Sequence, residues 1–111
     1  MKVKISLKRD KYKNARGGYS RLLEIYCRKC ATPLLIYQKD GPGNLRRLYL
    51  DRIFEPEKLA NLQKNDIPKI GYLKCSKCGE LLGTPYIYPK EKRKAFRLYQ
   101  DAVIKKLIKS N

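Results

Sequence analysis

Histidine is absent from this 111-residue chain, and tryptophan with it. The first absence removes the usual general base, the Ser-His and Cys-His nucleophile pairs, and every imidazole ligand to a metal or haem. Acidic residues are scarce as well, 10 Asp and Glu against 27 Lys and Arg. Asp51, Glu55, Glu57, Asp66 and Glu80 fall singly, without the paired spacing of an acid/base dyad or a two-metal nuclease centre. They are expected to pair with neighbouring cations, and no enzymatic activity is expected. Long apolar runs are missing: nothing approaches the roughly 18 residues of a membrane helix. Residues 1–14 contain no more than three consecutive uncharged side chains, too few for a signal-peptide core. These two absences predict an intracellular, cytoplasmic protein and argue against a membrane role.

What is present is positive charge. The formal net charge is +17 and the pI about 9.9, an excess that self-repels unless a polyanion or an acidic partner neutralises it. The excess is unevenly spread, at +8 over residues 1–30, +2 over 31–72 and +7 over 73–111. Hydrophobic residues still make up 42% of the chain, enough for one small core and inconsistent with intrinsic disorder.

Four cysteines stand in two CxxC pairs, Cys27-Arg28-Lys29-Cys30 and Cys75-Ser76-Lys77-Cys78, with 44 residues between them. A CxxC turn brings two thiolates to one side of a tight loop, and two such loops facing each other complete a tetrahedral S4 site. Cys27, Cys30, Cys75 and Cys78 are therefore expected to hold one Zn2+. Four cysteines leave no open coordination position, so the ion is structural and supplies folding free energy. Iron can occupy the same set, and a dithiol redox pair is the remaining reading. Gly79 follows the second pair where the backbone must turn through positive φ, whereas Ala31 occupies the corresponding place after the first.

Apolar runs lead into and out of each pair. Leu22, Leu23, Ile25 and Tyr26 precede Cys27, and Leu34 to Tyr37 follow Cys30. Residues 70–73 read as a strand delivering Cys75, and residues 81–88 leave Cys78 with Pro85 at a sheet edge. The Gly41-Pro42-Gly43-Asn44 turn predicts a hairpin over residues 33–50. Pro56, Glu57, Leu59 and Leu62 predict a short helix over 55–65. Phe96, Tyr99, Val103 and Leu107 recur at helical spacing and predict an amphipathic helix within 91–109. Pairing of residues 95–99 with 81–88 as a hairpin is the competing reading. At the other end, residues 2–7 alternate like a strand and residues 8–18 read as a basic arm.

The paired strands, the two CxxC turns and the run Cys75-Ser76-Lys77-Cys78-Gly79 resemble the zinc-ribbon group over residues 22–37 and 70–88. The resemblance implies a small α+β fold: a zinc ribbon of antiparallel β-hairpins, a short helix in the inter-knuckle insert and a C-terminal helix. The expected organisation is an arm at 1–18, a ribbon domain at 19–90 with an insert at 33–68, and a basic segment at 91–111. The group implies binding or scaffolding more than any one activity.

Basic residues interleaved with tyrosine suit phosphate contact combined with base stacking. The candidate nucleic-acid contacts are Lys11, Lys13, Arg16, Tyr19, Arg21, Arg28, Lys29, Lys77, Lys92, Arg93, Lys94 and Arg97. Arg16-Gly17-Gly18-Tyr19 is RGG-like, and no helix-turn-helix pattern is evident, so RNA or a ribonucleoprotein such as the ribosome is expected over duplex DNA. The alternative is an adaptor that docks on a larger enzyme or transcription complex through residues 45–62, using Leu48, Tyr49, Ile53 and Phe54.

Overall fold

The structure, a computed structural model, describes residues 7–15, 17 and 19–108. The expected strand at 2–7 falls almost wholly outside the described residues, as do Arg16 and Gly18 of the RGG-like run.

The chain forms a short helix α1 (Lys11–Ala15), then strands β1 (Ser20–Cys27), β2 (Pro33–Asp40), β3 (Arg47–Tyr49) and β4 (Ile53–Glu55). A second short helix α2 (Ile67–Ile70) precedes β5 (Leu73–Lys74), β6 (Leu81–Tyr88), β7 (Arg93–Leu98) and β8 (Val103–Leu107). Two four-stranded antiparallel sheets result, ordered β4-β2-β1-β8 and β3-β7-β6-β5. Their shared core gathers Leu23, Ile25, Leu35, Tyr37 and Ile53 from the first sheet with Leu48, Leu73, Leu82 and Phe96 from the second.

Alternation explains β1, where Leu23, Ile25 and Cys27 point inward and Glu24 and Tyr26 do not. It fails for β2, which is buried from Leu35 to Asp40 on both faces. The added cover is the segment before β1. Lys8 N–H donates to Gln38 Oε1 at 2.7 Å, and Gln38 Nε2 donates back to the Lys8 carbonyl at 2.9 Å. Asp10 then reaches Arg52 at 2.6 Å. Residues 8–12, expected in a basic arm, are thus a strap on the first sheet, because the side-chain amide of Gln38 satisfies the strap's main chain.

Three expectations are corrected. Over the described residues 91–108 of the expected 91–109 helix no helix forms: β7 pairs with β6 and β3, and β8 pairs with β1. The 3.6-residue spacing of Phe96, Tyr99, Val103 and Leu107 spans two strands and a turn in which Asp101 takes φ 58, so the competing hairpin of 81–88 is the one that forms. Within this stretch Arg93–Leu98 joins the second sheet and Val103–Leu107 the first. The 33–50 hairpin does not form either, since β3 crosses to β7 and β2 pairs with β4 instead. In the insert, residues 55–65 make turns and one 3-10 turn at Leu62–Lys64, with Asn61 at φ 75 interrupting any helix, and the helical turn falls later at α2.

Residues 45–62 contribute Leu48, Tyr49, Leu50 and Ile53 to the interior. The apolar side chains expected to dock a partner are those the fold itself buries, and Phe54, half-buried, lies beneath the Lys8 ammonium at 5.6 Å from its ring centroid.

Candidate functional site

Both CxxC turns are built alike. Cys27 N–H donates to the Thr32 carbonyl and its own carbonyl accepts from Ala31 N–H, at 2.9 and 2.8 Å. Cys75 and Gly79 repeat the scheme, with Cys75 N–H donating to Glu80 at 2.9 Å and Gly79 N–H to Cys75 at 3.0 Å. The residue after each second cysteine is left-handed, Ala31 at φ 62 and Gly79 at φ 79. A register shift precedes each turn, at Ile25/Tyr26 and at Leu73/Lys74, where a bulge re-aims the following cysteine.

These turns bring all four sulfurs within 4.8 Å of one another, a cluster able to hold one metal ion. Cys27 and Cys78 Sγ are 3.6 Å apart, and Cys30 and Cys75 Sγ 3.5 Å. A tetrahedral ion bound to sulfur at about 2.3 Å requires edges of about 3.8 Å, so the separations fit it. They greatly exceed a disulfide bond of about 2.05 Å. Cys27 and Cys75 are buried, Cys30 is half-buried and Cys78 exposed.

The sulfurs also differ in acidity. Hydrogen bonding from the side chain and backbone of Thr32 pulls Cys30 down to about 6, and the Cys78 N–H leads the set that lowers Cys75. At Cys78 the Glu80 N–H favours the thiolate, but partial desolvation within the cluster and the three neighbouring sulfurs outweigh it and push the thiol up to about 12. Four adjacent thiolates repel, and a divalent cation is what allows all four to ionise together.

No family model, curated protein or solved structure matches the chain. Lys11 and Lys13 lie on α1, where the Lys11 ammonium sits 5.2 Å from the Tyr12 ring centroid. Tyr19 is 51% exposed with Arg21 packed over it. Arg28 and Lys29 are exposed on the first cysteine turn and Lys77 on the second, with Lys29 also 3.6 Å from Glu80. Lys92 is exposed in the turn before β7.

Two predicted contacts face the scaffold instead. Arg93 is buried, paired with Asp51 at 2.7 Å and Glu91 at 3.1 Å, its guanidinium carbon 3.9 and 3.7 Å from the ring centroids of Tyr12 and Tyr49. The register of β7 forces this: Arg93, Ala95 and Arg97 share a face, and the first two lie where that face is covered. Lys94, on the opposite face, donates to the carbonyls of Gln63 and Asn65 at 3.0 and 2.7 Å.

Among the predicted contacts that the structure describes, Arg97 alone lines a groove of about 1040 Å³ between the second sheet and residues 99–105. Arg46, Arg47 and Lys105 join it there, against the single acid Asp101, with Tyr86, Tyr88 and Tyr99 between them. Arg47 is fixed in place. Its Nε donates to Tyr86 Oη at 3.0 Å and its guanidinium lies 4.2 Å from the Tyr88 ring centroid, which in turn meets Tyr49 edge-on at 5.8 Å. Their convergence was not legible in the sequence because they come from β3, β6, β7, β8 and the residues beside them, whose juxtaposition depends on a pairing that helical spacing disguises. The doublet Arg46-Arg47 beside Tyr49 was the available signal.

Proposed function

We propose that the chain is a zinc-stabilised nucleic-acid-binding protein whose target is single-stranded or irregular RNA, free or within a ribonucleoprotein, and whose contact surface is the groove beside Arg97. Zinc, when bound to Cys27, Cys30, Cys75 and Cys78, supplies a cross-link between the two cysteine turns. The protein's own residues do the recognising.

One observation carries the reading: four cations and three tyrosines, from β3, β6, β7, β8 and the residues beside them, converge on one groove that holds a single acid. Guanidinium and ammonium groups spaced along a cleft match a phosphate backbone, and Tyr99, 45% exposed, offers a ring for a base. Tyr86 and Tyr88 are engaged with Arg47 and orient it, so they serve phosphate contact more than stacking. Among the described residues no helix long enough to lie across a DNA major groove is present, the longest having five residues, which favours RNA over duplex DNA. Among the described residues no helix is long and apolar enough to cross a membrane.

The test is binding of the metal-loaded protein to single-stranded RNA, duplex RNA and duplex DNA of one length across a salt series. Four phosphate contacts predict a slope of log affinity against log salt near −3 for the single strand, from about −0.7 per contact. A flat slope, or equal weak binding to all three probes that vanishes near physiological salt, would overturn the proposal.

A further inference from the structure

The groove shares a wall with a second recess of about 250 Å³, and Asn44, Leu45, Arg46 and Arg47 border both. Its other side is the turn at residues 41–43, which the fold holds in place. Gly41 N–H donates to the Tyr19 carbonyl at 2.6 Å, and Lys39 Nζ, buried, donates to the carbonyls of Gly41 and Pro42 at 3.1 and 3.3 Å.

Charge in the recess is one-sided. Lys39, Arg46 and Arg47 line it against Asp40, whose carboxylate is already engaged by Arg52 at 2.9 Å, Gln38 at 2.8 Å and Ser20 at 2.5 Å. Arg46 is exposed and has no ion pair or side-chain hydrogen bond to any described residue. Tyr37, 2% exposed, also lines the recess. Its hydroxyl accepts the Tyr49 N–H at 2.9 Å, while no described residue accepts the hydroxyl's own proton. Burial holds that proton on, so a buried donor without an acceptor stands in a cationic recess at the side of the groove.

We propose that the recess is a pocket for a terminal phosphomonoester, the phosphorylated end of a single strand lying in the groove, taken up by Arg46, the charge of Lys39 and the hydroxyl of Tyr37. The inference rests on the nucleic-acid reading of the groove and adds the part of the strand that is recognised. A monoester suits the recess better than an internal diester because it carries a charge of about −1.5 to −2 and three strong acceptor oxygens, where a diester carries one charge.

The experiment compares one single-stranded oligonucleotide in three forms, with both ends hydroxyl, with a 5′-phosphate and with a 3′-phosphate, by fluorescence anisotropy on the metal-loaded full chain at fixed salt. One phosphorylated form is expected to bind about ten-fold more tightly than the hydroxyl form, the size of one charge-assisted contact. Arg46→Gln, at an exposed position, should erase that preference, whereas Arg97→Gln should weaken all three forms alike and leave the ratio unchanged. Tyr37→Phe should reduce the preference too, and is read only after its thermal unfolding shows a folded protein. Equal affinity for the three forms, or a preference that survives Arg46→Gln, overturns the pocket and leaves the groove standing. Failure of every strand to bind overturns both.

Discussion

Replacing Arg52 by methionine tests how the strap, the first sheet and the buried charges are linked. Arg52 is 1% exposed, and its Nε meets Asp40 at 2.9 Å while its Nη2 meets Asp10 at 2.6 Å. The substitution keeps most of the volume and strands Asp40, which is 4% exposed in its side chain and keeps only Ser20 and Gln38 as side-chain partners among the described residues. Breaking a buried pair from one side costs about 3–5 kcal/mol. We take the lower figure because Asp10 can return to water. For 111 residues the unfolding entropy is about 0.23 kcal/mol/K, so about 3 kcal/mol lowers Tm by about 13 °C. Acidity supplies a second readout. In the parent protein, burial disfavours the Asp40 charge, but hydrogen bonds from Ser20, Gln38 and Arg52 outweigh it and hold the carboxyl below its ordinary value. Arg52 likewise lowers Asp10. Depressed carboxyls contribute stability that is complete above the ordinary carboxylate range near pH 4 and is lost as pH falls through their folded values. Without Arg52 the depression of Asp40 shrinks, so the variant's deficit is largest near neutrality and narrows in acid, where the parent loses the same contribution. The assay is circular-dichroism melting of both proteins from pH 7 to pH 3 at one fixed free-metal concentration, since bound metal shifts Tm by mass action. A Tm within about 2 °C of the parent at pH 7, or a deficit that does not narrow on acidification, would refute the reasoning.

Three further outcomes are expected. Cys75→Ser, or removal of metal by a chelator, should unfold the domain, because structural zinc sites contribute on the order of 10 kcal/mol against a typical domain stability of about 5–15; the checks are metal content and circular dichroism, and a cooperative melt without metal would contradict a structural role. Arg97→Gln should reduce the salt slope by about one phosphate contact without moving Tm, while Arg93→Gln should cost about 3 kcal/mol of stability, measured by denaturant unfolding, and leave the slope of the folded fraction unchanged. Ala31 and Gly79 occupy equivalent left-handed positions, so Ala31→Gly should raise stability by up to about 1 kcal/mol and Gly79→Ala should lower it by about as much, read as opposite shifts in denaturant midpoint at constant m-value.

The cysteine cluster was legible in the sequence because its determinants are local. Each CxxC turn is fixed by hydrogen bonds within a few residues of itself, from Cys27 to Thr32 and from Cys75 to Glu80. Strands β1, β2 and β6 were legible for a similar reason, each carrying enough β-branched, leucine or tyrosine residues to declare itself. The C-terminal region was not. Phe96, Tyr99, Val103 and Leu107 sit at spacings a helix would use, yet β7 and β8 run over Arg93–Leu98 and Val103–Leu107 as strands of different sheets. What decides between the two is non-local: β1 offers an unpaired edge to β8, and β6 offers one to β7. A window of the sequence contains neither edge. The buried β2 hid its cover in the same way, since Gln38 and Asp40 look like surface residues until the strap and Arg52 satisfy them.

That non-local pairing also decides what the positive charge can do. A net charge of +17 read from the sequence treats every cation as available. In the fold, Arg52 and Arg93 are buried in ion pairs, Lys39 is turned onto the 41–43 turn, and Lys94 is bonded to the carbonyls of Gln63 and Asn65. All four hold the strap, the turn and the insert to the sheets; the charge of Arg52, Arg93 and Lys94 is spent on architecture, while Lys39 also borders the recess beside the groove. Arg46, Arg47, Arg97 and Lys105 gather at the groove from β3 and the residue before it and, some fifty residues on, from β7 and β8. The difference between the two sets is one of position on the pleat. Along β7, Arg93 and Arg97 lie on the same face four residues apart, and one is covered by Tyr12 and Tyr49 while the other is exposed. A lysine-for-arginine change therefore has opposite meanings at the two sites. At Arg93 it would lose the stacked, forked geometry that two acids and two rings require, and at Arg97 it would keep the charge a phosphate backbone senses.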